Sequence, residues 1–208
     1  MSSLKKAAAI AVLALAPATH LHAQATENGW NFPDFSATEV FRTATYDINL
    51  KISRSGSRIR VDKDDASSIL YVSLDKVYSL TGYPDGSHQC VVMKPDQPHG
   101  LPSPLELLNG TKVKRSPAGT EVVEGHKCNV ETAVVTRADG STVEAKVWEA
   151  QDLKGIPVKI ESQLGGHKFT AFYRDIKIGT PDRALVTPPA KCTPFEKMWQ
   201  VVEQKELK

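Results

Sequence analysis

Long apolar runs, a charge excess and catalytic signatures are what this chain lacks. Past residue 25, no stretch approaches the roughly 20 apolar residues that a membrane-spanning helix needs, so no such helix is predicted. The 26 basic and 24 acidic side chains nearly cancel, and no basic stripe is interleaved with aromatics, so nucleic acid is excluded as a partner. Three cysteines in 208 residues are too few for a disulfide-dense scaffold, and folding must rest on a hydrophobic core. No Gly-x-Ser-x-Gly elbow, phosphate-cradling glycine loop or His-Glu-x-x-His helix occurs. The reading is therefore of a protein that is not an enzyme and needs no cofactor.

What is present begins with a distinct N-terminus. Lys5 and Lys6 precede an unbroken apolar run over residues 7–16, which Pro17 ends, and small residues follow at Ala23 and Ala25. Basic start, short apolar core and small-residue exit make residues 1–25 a secretory signal peptide, with cleavage after Ala25 and the near alternative after Ala23. Its removal takes two lysines and no acids, which leaves 24 basic against 24 acidic side chains. The expected product is soluble outside the cytoplasm, periplasmic or secreted. Residues 26–208 are long enough for one domain with a sizeable core.

Alternation at a period of two runs through that domain. Over residues 40–50 the even positions Val40, Arg42, Ala44, Tyr46, Ile48 and Leu50 form one face of a predicted strand. Ile59 and Val61 follow the Ser55-Gly56-Ser57 turn, residues 69–74 and 77–80 pair about Asp75-Lys76 as a tight hairpin, and residues 88–93 form another strand. Residues 95–104 carry four prolines and read as a loop, with a short central helix over residues 104–109. Later strands carry Val130, Thr132 and Val134, then Val143, Ala145 and Val147, then Ile156, Val158 and Ile160. In the last strand, Phe169, Ala171 and Tyr173 are followed one residue out of step by Ile176 and Ile178, which marks a β-bulge. Thr193-Pro194-Phe195-Glu196 is a capping box, and Phe195, Met198, Trp199 and Val202 make the stripe of a C-terminal amphipathic helix. The predicted fold is mainly β: nine or ten strands in a curved antiparallel sheet, a half-barrel, with a short central helix and a C-terminal helix.

Several segments resemble a known family. Gly125-His126-Lys127-Cys128 precedes a strand, and Val147-Trp148-Glu149-Ala150 leads to Asp152-Leu153. Gly155-Ile156-Pro157-Val158-Lys159-Ile160-Glu161, Asp175-Ile176-Lys177, Leu185 and Pro188-Pro189-Ala190 complete the set. Together these resemble secreted bacterial proteins related to the Lol-type periplasmic lipoprotein carriers, the LolA/LolB-like half-barrel superfamily. The resemblance spans residues 35–195 and is densest over 119–190. It implies a half-barrel whose apolar concave face, lidded by helices, holds acyl chains. The shared residues are turn and packing positions, so no functional residue is carried over.

Four histidines, His88, His99, His126 and His167, remain after the signal, each in or beside a turn or strand edge. In an oxidising compartment two of Cys90, Cys128 and Cys192 form a disulfide; strand counting favours Cys128–Cys192, while the other pairings stay open. His88-x-Cys90 and His126-x-Cys128 each place an imidazole and a thiol on one strand face. Brought together, the two pairs would suit zinc or copper, a weaker alternative to no metal.

Residues 69–74 are apolar on both strand faces, so either a helix or a ligand cavity covers the second face. The leading expectation is a lipid, a lipoprotein acyl chain or another apolar ligand in the concave sheet, lined by Tyr46, Ile48, Tyr71, Val147, Ile160 and Phe169. The alternative is a structural or sensory envelope protein that binds another protein and has no ligand cavity. Amino-terminal sequencing of the exported protein is expected to begin at Thr26; an N-terminus retaining residues 7–16 would rule out cleavage.

Overall fold

β-branched and aromatic residues alternating with polar ones give the described residues strands over most of their length, and the computed structural model shows how they pair. It describes residues 32–95, 101–102, 104–105, 112–137, 140–164 and 166–198. The signal segment, most of the expected central helix, His99, Trp199 and Val202 lie outside the described residues. Six strands form a first meander: β1 (Phe35–Arg42), β2 (Asp47–Ser55), β3 (Arg58–Lys63), β4 (Ser68–Val72), β5 (Val77–Gly82) and β6 (His88–Met93). Five form a second: β7 (Lys112–Val123), β8 (His126–Thr136), β9 (Thr142–Ala150), β10 (Pro157–Leu164) and β11 (His167–Ile178). A two-residue β12 (Thr193–Pro194) lies parallel to β6. All twelve belong to one open sheet in the order β12-β6-β5-β4-β3-β2-β1-β11-β10-β9-β8-β7. The predicted mainly-β, antiparallel architecture is the observed one, with a short helix beginning at Phe195.

The two meanders meet where β1 pairs antiparallel with β11. That leaves β6 and β7, which follow one another in sequence, ten strand spacings apart, about 48 Å along the sheet. Residues 94–111 must therefore travel back across the whole sheet. Leu101 and Leu105, from this connection, are buried in the main core, so the crossing runs over one face, here termed the inner face.

Register defines that face. It carries Phe35, Ala37, Glu39 and Phe41 of β1, Leu50 and Ile52 of β2, Ile59 and Val61 of β3, and Leu70 and Val72 of β4. On the other side of β1 it continues through Tyr173, Ala171 and Phe169 of β11, Ile160 of β10, and Val147 and Ala145 of β9. Almost all are fully buried. The outer face has a smaller cluster of its own, in which Trp148, Cys128, Val130, Ala150 and Val158 pack together.

Several local expectations are corrected. Residues 40–50 are not one strand: a turn at residues 43–46 separates β1 from β2. The Thr43 hydroxyl accepts hydrogen bonds from the amides of Thr45 and Tyr46 there, so the turn needs no glycine or proline. The buried positions of β1 are consequently the odd ones, and Arg42 is exposed in an ion pair with Asp47 at 2.9 Å. Ser73 closes the β4–β5 turn similarly, and Leu74 sits in it, 66 % exposed, rather than in a strand. Strand β7 was not foreseen; its bulge between Pro117 and Gly119 and its exposed lysines blunt it as a sheet edge. The turn into β8, Glu124-Gly125, has positive φ at both residues (50° and 85°), which suits a two-residue hairpin. The bulge expected in the last strand is present, where pairing slips opposite Ser36 and Thr38 and Asp175 has φ 52°. Thr193 and Pro194 extend the sheet instead of starting a helix, and Phe195 and Met198 then pack against the inner core.

The disulfide joins Cys90 to Cys192, and Cys128 is free and buried. The favoured Cys128–Cys192 pairing fails because the chain leaves β11 and crosses the outer face towards β6, away from β8. Val186 is buried on this course, and Arg60 Nη1 donates to the carbonyl of Leu185 at 3.0 Å. This strap, and not a helix, covers the second apolar face of β4. Closing a loop across 102 residues constrains the unfolded chain strongly, so Cys192→Ser is expected to lower stability by roughly 2–4 kcal/mol in urea unfolding. Reductant should do the same to the wild type and to Cys128→Ser, and a non-reducing peptide map should show Cys90–Cys192.

Candidate functional site

An apolar sheet face needs cover, and here the cover comes from side chains outside the sheet: Leu101, Leu105, Phe32, Phe195 and Met198. Phe32 is held by Arg54, whose guanidinium lies 4.3 Å from the ring centroid and donates to the Phe32 carbonyl at 2.8 Å. Near the centre of the face, Phe41 stacks on Phe169 with centroids 5.0 Å apart. Toward β7 the face turns polar. Arg115 there pairs with both Glu131 and Glu149. Burial raises the Glu149 carboxyl despite the opposing pull of Arg115.

Of the six residues expected to line a ligand site, Ile48, Val147, Ile160 and Phe169 share this inner face. Tyr46 is 55 % exposed in the β1–β2 turn, with its ring 6.4 Å from that of Phe41. Tyr71 belongs to the outer face, since Leu70 and Val72 on either side point inward. Arg60 packs over its ring at 5.3 Å and the strap covers it. The metal alternative is not assembled: His88 and Cys90 on β6 stand nine strand positions from His126 and Cys128 on β8. Cys90 is oxidised, and His126 Nδ1 lies 2.8 Å from Asp152. No group of three or more potential ligands occurs among the described residues.

One functional candidate went unread in the sequence. Glu39 on β1 and Tyr173 on β11 are cross-strand partners in the middle of the inner face, both essentially without exposure. Burial pushes the Glu39 carboxyl up to about 8, and Tyr173 lowers it only partly. The Tyr173 hydroxyl is itself raised well above its ordinary value, by burial first and the neighbouring carboxyl second. The two groups influence one another, yet neither makes a hydrogen bond of regular geometry among the described residues. The readable signal was parity, because Phe35, Ala37 and Phe41 place Glu39 on the buried side.

The outer face offers a different surface. An open cavity of about 750 Å³ lies between the strap and the sheet, lined by Tyr71, Leu74, Tyr78, Val92, Pro188 and Pro189 among others.

No family model matches the chain, and no curated protein sequence does. Solved structures do. A LolA superfamily protein from Nitrosomonas europaea is similar at 11% identity and a TM-score of 0.40, over 78% of this chain and 93% of that one. MucB, in a Pseudomonas aeruginosa MucA/MucB complex, is similar at 18% identity and a TM-score of 0.36, over 77% of this chain. The chain spans 57% of that protein's length. Lipoprotein LppX of Mycobacterium tuberculosis matches at 16% identity and a TM-score of 0.36, over 70% and 89% of the two chains.

Burial of Glu39 makes stability pH-dependent in a defined direction. The carboxyl ionises near 4.5 when unfolded and near 8 when folded. Its contribution is complete below pH 4.5 and is lost as pH rises to about 8. Glu39→Gln cannot titrate. Its advantage over wild type in urea unfolding is expected to grow across that window to a few kcal/mol; a gap independent of pH would contradict burial of the acid.

Proposed function

We propose that this is an exported envelope protein that binds a lipid, a lipoprotein acyl chain or another apolar ligand on the inner face of its sheet, without covalent chemistry. The observation that carries this reading is the nature of the cover. A continuous apolar surface from β4 through β1 to β9 is masked, among the described residues, by Phe32, by Leu101 and Leu105 of the connection and by Phe195 and Met198 of the short C-terminal helix, and not by a second sheet. Apolar side chains that leave the face expose it to an incoming acyl chain, which restores the burial at about 0.8 kcal/mol per methylene. The Cys90–Cys192 disulfide supports an oxidising compartment, and with the basic, apolar start of the chain it supports export. No helix among the described residues is long and apolar enough to cross a membrane.

A second reading, an envelope protein that binds another protein, is favoured by the outer cavity, where exposed Leu74 gathers with Tyr71, Tyr78 and two prolines of the strap. Under that reading no acyl lipid stabilises the protein.

Connection and ligand compete for one surface, which gives the test. Delipidated protein is expected to gain thermal stability from a phospholipid or a diacylated peptide. Leu105→Ala is expected to lower the melting temperature, in line with a buried Leu→Ala cost of about 2–5 kcal/mol, while raising affinity for the apolar dye phenylnaphthylamine several-fold. Native mass spectrometry of protein from the periplasm checks for co-purifying lipid. Absence of any lipid shift, with dye binding unchanged by Leu105→Ala, would remove the inner-face reading.

A further inference from the structure

In the middle of the inner face lies a polar pair that neither folding nor acyl burial requires. Glu39 stands between Ala37 and Phe41 on β1, with Leu50 opposite it on β2 and Tyr173 opposite it on β11, next to Ala171. Of these neighbours Tyr173 alone titrates, and among the described residues no cation acts on the carboxyl. Both oxygens of Glu39 and the hydroxyl of Tyr173 lack a hydrogen-bond partner among the described residues. Leucine or valine at position 39 would complete the core without a buried carboxyl to satisfy, so the carboxyl is an expense that packing alone does not explain.

We propose that Glu39 and Tyr173 form a hydrogen-bonding anchor for the uncharged ester group of an acyl ligand, whose chain lies along Phe41, Phe169, Ile160 and Leu50. The inference rests on the inner-face reading and adds its polar selectivity. At neutral pH burial keeps Glu39 protonated, so two neighbouring O–H groups, close enough to act on one another, can both turn to a ligand oxygen. An ester carbonyl has two lone pairs and accepts both. An ionised fatty acid would bring a negative charge into a region that supplies no cation, and a plain hydrocarbon would leave the pair unsatisfied. Glycerolipids and acylated proteins carry the same ester, so the anchor serves either source.

The test uses the mature, disulfide-bonded protein with four probes: monoolein, oleate, a dipalmitoyl lipopeptide and the hydrocarbon-like dye phenylnaphthylamine. Wild type is expected to bind monoolein at least about tenfold more tightly than oleate, the scale of one net hydrogen bond. Glu39→Leu should lose about that factor for monoolein while binding the dye as before. Glu39→Gln keeps an N–H donor and should bind monoolein nearly as wild type does at neutral pH. Well above pH 8 the wild type should weaken as Glu39 ionises, whereas Glu39→Gln should not; this arm stands even where Glu39→Leu fails to fold. The lipopeptide arm shows whether an acylated protein uses the anchor as a free lipid does. Dye bound by both proteins and monoolein bound equally by wild type and Glu39→Leu would overturn the anchor and leave the inner-face reading standing. Wild type that binds neither dye nor monoolein would overturn both.

Discussion

A single sheet has two faces, and every other feature of this protein follows from the need to cover both with little helix. The strand order makes the solution topological. Because the second meander returns to pair β11 with β1, the connection after β6 has to reach the far edge at β7. Passing over the inner face on the way, it brings Leu101 and Leu105 into the core. One stretch of chain is both the link between meanders and the cover over the largest apolar surface. The described cover residues gain their stability from side-chain burial rather than from strand pairing, so exchange for a ligand of similar chemistry is physically simple.

The outer face is covered by a different device. After β11 the chain runs as a strap over β3 to β6, held by Val186, by the Arg60 hydrogen bond to Leu185 and by the Cys90–Cys192 disulfide. It then pairs as β12 beside β6, which shields one edge of the sheet, and turns inward so that Phe195 and Met198 join the opposite core. At the other edge, β7 is protected by Pro117, a bulge and exposed lysines. Both open edges of a long sheet are thereby kept from adding strands of another chain.

The buried Glu39 stands apart from these economies. Arg115, Glu131 and Glu149 show how charge on the inner face is normally handled, by mutual pairing close to the sheet edge. Glu39 has no such partner among the described residues, lies where the face is most apolar, and is held towards its neutral form by desolvation. Its position opposite Tyr173, 134 residues on in the sequence, exists only because β1 and β11 are neighbours in the sheet. A neutral acid beside a phenol is a polar mark in the most apolar part of the face, and under the proposed reading it would supply orientation where apolar burial supplies affinity.

The period-two pattern by itself determined the strands β3, β6, β9 and β10, the bulge after Tyr173 and the mainly-β class, because alternation and turn chemistry are local properties. Local reading failed where chemistry was atypical or partners were distant. The turn at residues 43–46 uses a threonine hydroxyl in place of glycine, which reversed the apparent buried side of β1 and hid Glu39. Val147, Ile160 and Phe169 were legible as one face since each alternates cleanly, whereas Tyr71 faces the strap because Leu70 and Val72 took the core. The pairing of Cys90 with Cys192, the route of the connection and the meeting of Glu39 with Tyr173 were decided only by tertiary structure. They depend on which strands become neighbours, a choice made by packing between residues 100 or more positions apart, about which a local pattern carries no information.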